Sequence, residues 1–255
     1  MSKRYLKRSE RWWVFFVVLV VLSPLWVRGC FLENFKIPSA SMVPTLLIGD
    51  YILVNKVAYG FRMPTTKIWL KNWGQIKRGD VVVFMYPPDE KVAYVKRVVG
   101  LPGDKVQVVG SELYLNGKKV EEYFATIQGV RSHASDLLDY QRPLGLDQKH
   151  FLPSLPYFEK WQDMLLKEEK LDAGFHHTLY SKEASSYDAD ESRREFVVPE
   201  GQLFVLGDNR DNSSDSRTWG MVPRQNLIGR AWVVLFSLQH QGIPFRPHRF
   251  GHVIH

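Results

Sequence analysis

The chain contains a single cysteine, Cys30, so no disulfide can form within it and its folded part must depend on an apolar core. Histidine is missing from the segments where chemistry is indicated, because all eight histidines lie outside the four motifs described below. A Ser/His/Asp triad therefore has no support from the sequence.

Basic charge is concentrated at one end of the chain. Five basic residues and Glu10 give the first eleven residues a charge of +4, out of +7 for all 255 residues. The rest of the chain has no basic patch with interleaved aromatic residues, so no nucleic-acid partner is expected. The length and the 45% content of hydrophobic residues allow one large domain or two small ones.

A membrane span is predicted at residues 12–32. Residues 12–27 carry no charge and would reach roughly 24 Å as a helix, and residues 29–32 extend this run if Arg28 reaches the interface. Trp12, Trp13 and Trp26 lie where interfacial anchors are found, and the basic tail 1–11 should stay cytoplasmic. Residues 33–255 would then form an extracytoplasmic domain at the bacterial inner membrane, in contact with lipid.

Two other interpretations of this N-terminus remain. A cleaved secretory signal would also have a basic start and a short apolar run, but Arg28-Gly29-Cys30 is not a cleavage site of the Ala-x-Ala type. Lipidation at Cys30 is the second, although Arg28 stands where a small or apolar residue is expected. Either would leave the domain at the outer surface of the membrane.

Four motifs carry most of the chemical information: Pro38 to Leu46, Lys77 to Phe84, Tyr94 to Asp104 and Gly207 to Arg217. Ser41 lies between two prolines, which stiffen the local backbone. A serine hydroxyl needs a neighbouring base, and a lysine can serve if burial lowers the pKa of its amine. Lys96 lies in a β-favouring run in which alternation places it on the face of Tyr94 and Val98. Arg97 would then point the other way, toward solvent or an ion partner.

The motifs resemble those of bacterial type I signal peptidases, a family of serine proteases with a Ser/Lys dyad. The family pattern has a Ser-Met motif, a Lys-Arg motif ahead of Gly-x-Pro-Gly-Asp, and a Gly-Asp-Asn-x-x-x-Ser-x-Asp-Ser-Arg motif. They occur here in the same order, as Ser41-Met42, Lys96-Arg97 with Gly100 to Asp104, and Gly207 to Arg217. The single predicted span departs from the many relatives that have two, and the lone Cys30 departs from members that carry a disulfide.

The resemblance implies a role for each matched residue. Ser41 would be the nucleophile and Lys96 the general base, with the Ser39 hydroxyl and the Ser41 backbone N–H forming an oxyanion hole. Ser213 would orient the lysine amine, and Asp215 and Arg217 would form a supporting ion pair. Shallow pockets for small side chains would select substrates by excluding bulk. The residues matching those pockets are Ile37, Met42, Leu46, Ile52, Val83, Tyr94 and Val95.

Three other polar residues are assigned no chemistry. Lys56 lies in a β-like run without a surrounding motif and is predicted to face solvent. His176 and His177 would point in opposite directions from a strand, and without a third ligand nearby they do not predict a metal site. No metal and no cofactor is expected.

The fold is predicted to be mainly β, an antiparallel catalytic core with an inserted cap, preceded by the membrane helix. The core would comprise about 33–106 and 199–255, and the cap about 107–198, in which 121–193 is more polar and irregular, with a charged stretch near 188–194. One helix is predicted at Tyr157 to Lys170. Asn116-Gly117 predicts a hairpin turn. The predicted strands are 50–57, 80–86, 92–99, 105–109, 112–115, 194–198, 202–206 and 227–238.

The resulting functional prediction is a membrane-anchored serine endopeptidase that removes signal peptides from exported preproteins after small residues. Its partners would be those preproteins, membrane lipid and, in passing, the secretion translocon. One alternative is a Ser/Lys peptidase dedicated to a pilus or conjugation substrate, or a self-cleaving repressor, which would need a DNA-binding domain in place of the span. The other is a catalytically inactive membrane scaffold, against which the intact Ser41 and Lys96 argue.

Overall fold

The structure is a computed structural model that describes residues 12–13, 16–17, 30–63, 68–124, 164–181, 194–238 and 246–255. Within these residues the chain is mainly antiparallel β, which confirms that part of the predicted fold class. The strands in chain order are β1 (Leu32–Lys36), β2 (Asp50–Asn55), β3 (Gly60–Arg62), β4 (Trp69–Asn72), β5 (Val81–Tyr86), β6 (Asp89–Gly100), β7 (Lys105–Val109), β8 (Glu112–Leu115), β9 (Lys118–Lys119), β10 (Glu122–Phe124), β11 (Met164–Leu171), β12 (Gly174–Ser181), β13 (Glu195–Val197), β14 (Gln202–Leu206), β15 (Val222–Pro223) and β16 (Leu227–Ser237). Residues 12–13, 16–17 and 30 are helical, and the further helical elements of the described residues are α1 (Ser216–Trp219) and the 3-10 turns Arg210–Asn212, Arg224–Asn226 and Pro247–Arg249.

A seven-stranded sheet in the order β1-β2-β16-β5-β6-β14-β15 forms the centre of the molecule. The β-branched residues of β5 are buried on both faces of this sheet, as is typical of a central strand. Val81 and Val83 belong to one hydrophobic core, and Val82 and Phe84 belong to the other. Strand β6, which carries Lys96, is therefore paired with a strand whose first four residues are buried.

Smaller sheets flank the large one. Four strands pair in the order β13-β7-β8-β9, three in the order β10-β11-β12, and β3 pairs with β4. A third core joins the four-stranded sheet to the large sheet, with Val106 and Leu113 on one side and Val99 and Phe204 on the other. The proposed division into a core and an inserted cap remains a prediction.

The eight predicted strands correspond to β2, β5, β6, β7, β8, β13, β14 and β16, with ends that differ by up to three residues. The predicted hairpin turn is also confirmed, because Asn116 and Gly117 connect β8 to β9 with φ values of 53° and 76°. Positive φ at both central residues is what a type I′ turn requires.

The helix predicted at Tyr157 to Lys170 is wrong where the structure describes it, since residues 164–170 form most of β11. That strand pairs with β12 along its whole length. Its buried residues include Lys167 and Glu169 beside Leu171, so the sequence did not show the apolar alternation expected of a strand. Residues 157–163 and the charged stretch at 188–193 lie outside the described residues.

The predicted membrane span also lies largely outside the described residues. Within the parts of the chain that the structure describes, no helix has both the length and the apolar character needed to cross a bilayer. Leu32, placed at the end of the predicted span, begins strand β1.

Candidate active site

Ser41 lies in a turn between β1 and β2. Within this turn the Val43 N–H donates to the Ala40 carbonyl and the Leu46 N–H donates to the Met42 carbonyl. The apolar side chains that follow Ser41 are buried, which fixes the turn on the body of the protein; they are Met42, Val43, Leu46 and Leu47. The hydroxyl of Ser41 is left at the rim, half-buried.

Lys96 reaches Ser41 from β6. Strands β5 and β6 pair so that Val82 lies opposite Lys96. Only 4% of Lys96 is exposed, and its Nζ is 2.5 Å from Ser41 Oγ, within hydrogen-bonding distance. Its amine also lies 5.6 Å from the centre of the Tyr94 ring. The structure thus brings together two residues that are 55 positions apart.

Burial lowers the pKa of Lys96 from 10.5 to about 8. The cost of removing an ammonium group from water is the main cause. The negative charges of Asp215 and Asp208 partly oppose this shift, and the positive charge of Arg217 adds to it. A substantial fraction of the amine is therefore neutral slightly above neutral pH, and a neutral amine has a lone pair that can accept the proton of Ser41.

Ser39 lies beside the Ser41 hydroxyl, with its Oγ 3.4 Å from Ser41 Oγ. Ser39 is exposed at the rim. Its hydroxyl therefore has access to a molecule bound over Ser41, as an oxyanion-hole donor requires.

The Gly207 to Arg217 motif packs against the turn that carries Ser41. Asp215 is fully buried, and its carboxylate accepts hydrogen bonds from Gly207 N at 3.0 Å and from the Arg217 guanidinium at 2.8 Å. Burial raises the pKa of Asp215, but the bonds and charge of Arg217 outweigh it and hold this pKa below its ordinary value. The predicted Asp215–Arg217 ion pair is therefore present as a contact.

Ser213 lies against Gly207, but its hydroxyl does not contact Lys96 as the resemblance implies. Its Oγ is buried near the Asp215 carboxylate and helps to lower the pKa of that carboxyl. A Cβ atom added to Gly207 would lie 2.1 Å from this oxygen, which shows how tightly Ser213 packs on the glycine. Its lysine-orienting role remains a prediction.

Arg97 points away from Lys96 into a buried ion pair. Its guanidinium donates two bonds to Asp208, at 2.8 and 2.7 Å, and both side chains are 1% exposed. Burial favours the neutral acid, but the charge of Arg97 dominates and keeps the pKa of Asp208 below its usual value. Of the two surroundings predicted for Arg97, the ion partner is confirmed and solvent is wrong. The pairing with Asp208 was not predicted, because nothing in the sequence links two motifs 111 residues apart.

A cleft of about 490 Å³ opens over Ser41 and Lys96. Among the predicted pocket residues, Ile37, Met42, Tyr94 and Val95 line it. Leu46, Ile52 and Val83 lie instead in the hydrophobic core beneath, where they are fully buried. Sequence reasoning assigned no pocket role to several lining residues, because a local pattern does not show which residues of a motif or strand face a cleft: Pro38, Ala40, Ile48, Val92, Ala93, Asn212 and Ser214.

Lys56 and His176, to which the sequence analysis assigned no chemistry, both have structural partners. Lys56 donates to Glu33 at 3.1 Å and its side chain is 18% exposed, so the prediction that it faces solvent is wrong. His176 is buried within 3.6 Å of Glu169. No group of three metal-binding side chains occurs in the stretches of chain that the structure describes.

These contacts define a class of protein: an antiparallel β fold in which a serine is held against a buried, easily neutralised lysine in a largely apolar cleft. Residues 9–236 match the family model described as signal peptidase, peptidase S26. The signal peptidase I of Pseudomonas aeruginosa is 39% identical over 234 residues, which cover 88% of this chain and 70% of that protein. The signal peptidase I of Aquifex aeolicus is 35% identical over 229 residues, which cover 86% and 81%.

A solved structure of a signal peptidase I from Enterococcus faecalis is 22% identical and covers 61% of this chain and 96% of its own, with a TM-score of 0.32. A score of that size does not establish a common fold. The family match and the relatives do establish membership: the chain belongs to the signal peptidase family, peptidase S26.

Proposed function

We propose that this protein is a membrane-anchored signal peptidase that cleaves signal peptides from exported preproteins after small residues. The observation that carries the proposal is the 2.5 Å contact between Lys96 Nζ and Ser41 Oγ, together with the lowered pKa of the lysine. The relatives from Pseudomonas aeruginosa and Aquifex aeolicus are named for this activity. An inactive scaffold would have no use for a desolvated lysine at a serine hydroxyl.

Acylation begins when Ser41 Oγ attacks the carbonyl carbon at the cleavage site while neutral Lys96 accepts its proton. The negative charge then develops on the former carbonyl oxygen. We assign its stabilisation to the Ser41 N–H and the Ser39 hydroxyl. Lys96 returns the proton to the leaving amine as the C–N bond breaks, which leaves the signal peptide as an ester on Ser41.

Deacylation uses the same groups in reverse. Lys96 removes a proton from a water molecule, which attacks the ester, and Ser41 regains its proton when the acid leaves. Ser213 would orient the amine, and its position against Gly207, next to the Ser41 carbonyl, supports this role. The Asp215–Arg217 pair would support the loop that carries it.

We expect the enzyme to select substrates with small side chains at the cleavage site, because the apolar groups that line the cleft are held in place by the hydrophobic core beneath them. Ile37 and Met42 are buried and rest on the core that contains Leu46, Ile52 and Val83. Rigid walls of this kind discriminate by excluding bulk rather than by offering bonds. Residues 12–32 would hold the cleft at the outer face of the membrane, where translocated preproteins emerge.

The test uses the full chain in detergent with a preprotein whose signal peptide ends in an Ala-x-Ala sequence. Ser41→Ala and Lys96→Arg should both abolish cleavage, since arginine keeps the charge but does not deprotonate. Lys56→Arg is the matched control, because Lys56 pairs with Glu33 and does not line the cleft. EDTA should leave the rate unchanged. Normal turnover by Lys96→Arg would rule out the lysine as the base.

A further inference from the structure

Asn209 contacts the backbone on both sides of the Ser41 α-carbon. Its side-chain Nδ2 donates to the Ala40 carbonyl at 3.1 Å, and its own backbone N–H donates to the Ser41 carbonyl at 3.1 Å. The residue is 1% exposed. It thus ties the Gly207 to Arg217 motif to the turn that carries Ser41.

The side-chain bond acts on a particular peptide unit. The Ala40 carbonyl and the Ser41 N–H belong to the same planar peptide group, so the direction of one determines the direction of the other. The Ala40 oxygen also accepts the Val43 N–H at 3.1 Å, so two donors hold that oxygen. Two hydrogen bonds to the same carbonyl oxygen restrict rotation of the peptide plane to which it belongs.

Asn209 is itself held in place. Its backbone forms a bridge with Leu179 of β12, and the Leu179 N–H donates to the Asp208 carbonyl at 2.8 Å. Leu179 packs with Val43 and Leu47, which belong to the turn after Ser41. The opposite orientation of the Asn209 amide would place its oxygen against the Ala40 oxygen, so the Nδ2 contact is the favourable one.

We propose that Asn209 is a positioning residue that orients the Ser41 N–H toward the developing oxyanion. The bond to the Ala40 oxygen also polarises the peptide group, because hydrogen bonds in a chain strengthen one another. The inference rests on the proposed function, in which the Ser41 N–H is an oxyanion donor. It assigns to Asn209 a contribution to the transition state and none to the binding of the intact substrate.

Asn209→Ala tests this directly because it removes the side-chain donor and keeps the backbone bond to the Ser41 carbonyl. Removing an oxyanion donor outright costs about a hundredfold to a thousandfold in kcat, so a misoriented donor should lower kcat by roughly tenfold to a hundredfold. KM should stay within about twofold of its normal value, since only interactions stronger in the transition state alter kcat alone.

Asn226→Ala is the matched control. Asn226 is 2% exposed, donates through Nδ2 to the Met85 carbonyl at 3.2 Å, and, like Asn209, has a buried Oδ1 without a hydrogen-bond partner among the described residues. It does not line the cleft. We expect the two variants to lose similar thermal stability, and only Asn209→Ala to lose kcat per folded molecule.

A second readout uses a peptide aldehyde ending in Ala-x-alaninal, which forms a tetrahedral adduct with a serine. Its inhibition constant should rise in Asn209→Ala by the same factor by which kcat/KM falls, whereas the corresponding peptide alcohol should bind both proteins equally. A purely structural role for Asn209 would change both inhibitors together or neither.

The outcomes separate the inference from the proposed function. Cleavage by Ser41→Ala would overturn both. An inactive Ser41→Ala beside an Asn209→Ala variant with normal kcat, or with raised KM alone, would overturn only the role of Asn209. If Asn209→Ala does not fold, Asn209→Asp keeps the shape of the side chain, replaces the donor with an acceptor and should show the same loss of kcat.

Discussion

Lys96 is buried, unlike an ordinary lysine, and its amine lies within hydrogen-bonding distance of a hydroxyl. Burial removes the amine from water, and Val82 on the neighbouring strand helps to keep water away. Asp208 and Asp215 favour the charged amine but do not cancel the effect of burial. In the proposed mechanism this gives a base whose pKa lies close to the pH at which it would act.

The first prediction concerns the pH dependence of cleavage. Because the neutral amine is the active form in the proposed mechanism, kcat/KM should rise with pH and reach half of its plateau near pH 8, the pKa of Lys96. Initial rates with a short peptide substrate between pH 6 and 10 would show this. A rate that is constant from pH 6 to 9 would contradict the assignment of Lys96 as the base.

The second prediction is that Lys96→Met stabilises the protein while abolishing activity. In the folded state the pKa of Lys96 is about 8 instead of 10.5. At pH 7 the amine is therefore charged in a buried site that disfavours charge, which lowers the free energy of unfolding by at most about 3 kcal/mol. Between pH 8 and 10.5 the unfolded chain binds the proton and the folded chain does not, so the stability of the unchanged protein rises with pH.

Denaturant unfolding at pH 7 and pH 10 measures this difference. The advantage of Lys96→Met should be largest at pH 7 and shrink toward pH 10. A variant that is less stable than the unchanged protein at pH 7 would show that the contacts of the amine outweigh its desolvation.

The Gly207 to Arg217 loop packs too closely for a side chain at its first residue. A Cβ atom at Gly207 would lie 2.1 Å from Ser213 Oγ and 2.5 Å from the Ser41 carbonyl oxygen. The third prediction is that Gly207→Ala displaces Ser213 or the Ser41 turn and lowers kcat by at least about a hundredfold, since misplacement by about 1 Å can cost that much.

Gly229→Ala serves as the comparison for Gly207→Ala. Its added Cβ would lie 2.4 Å from the Asn55 carbonyl, so it also strains the backbone, but within β16 and away from the cleft. Both variants should unfold at lower temperature, and kcat per folded molecule should fall in Gly207→Ala alone. Equal loss in both would mean that the effect reflects general destabilisation.

The β11–β12 hairpin is joined to the same loop by a buried ion pair. Arg210 donates to Glu169 through Nη1 at 2.7 Å and through Nη2 at 2.5 Å, and both side chains are 1% exposed. Burial works against the Glu169 carboxylate, but Arg210 holds the pKa of Glu169 well below its ordinary range. Tyr180 donates to the same carboxylate at 2.9 Å.

The fourth prediction is that Glu169→Gln destabilises the protein by about 3–5 kcal/mol, because it leaves the Arg210 charge buried without a counterion. Lys170→Gln is a suitable comparison, since Lys170 is the next residue of β11 and forms an exposed pair with Glu121. That variant should leave the unfolding midpoint nearly unchanged. Equal midpoints for the two variants would contradict the importance of the buried pair.

The proposed function also requires a defined arrangement at the membrane. The fifth prediction is that the chain stays in the membrane pellet after alkaline carbonate extraction. In spheroplasts, added protease should digest residues 33–255 and spare a tag placed before residue 1. Release by carbonate, or digestion of the tag in sealed spheroplasts, would contradict the predicted span at residues 12–32.

Local sequence patterns were sufficient for eight of the sixteen strands that the structure describes and for the four motifs. Eight strands and the Asn116-Gly117 turn follow from β-branched runs and turn residues, because those preferences act over a few neighbouring positions. The pattern failed at β11, where Lys167 and Glu169 are among the buried residues and a helix was predicted. Charged residues in a buried strand can be recognised only once their partners are known.

The sequence by itself therefore determined the β-rich character of the chain and, through the motif order, its family, and it supplied the proposed nucleophile and base. Three-dimensional packing settled which distant groups meet: Lys96 with Ser41, Arg97 with Asp208, Glu169 with Arg210, and Asn209 with the Ser41 turn. It also separated the pocket residues that line the cleft from those in the core. The physical reason is that burial and the pKa of a buried group depend on neighbours from remote parts of the chain, which short-range preferences do not encode.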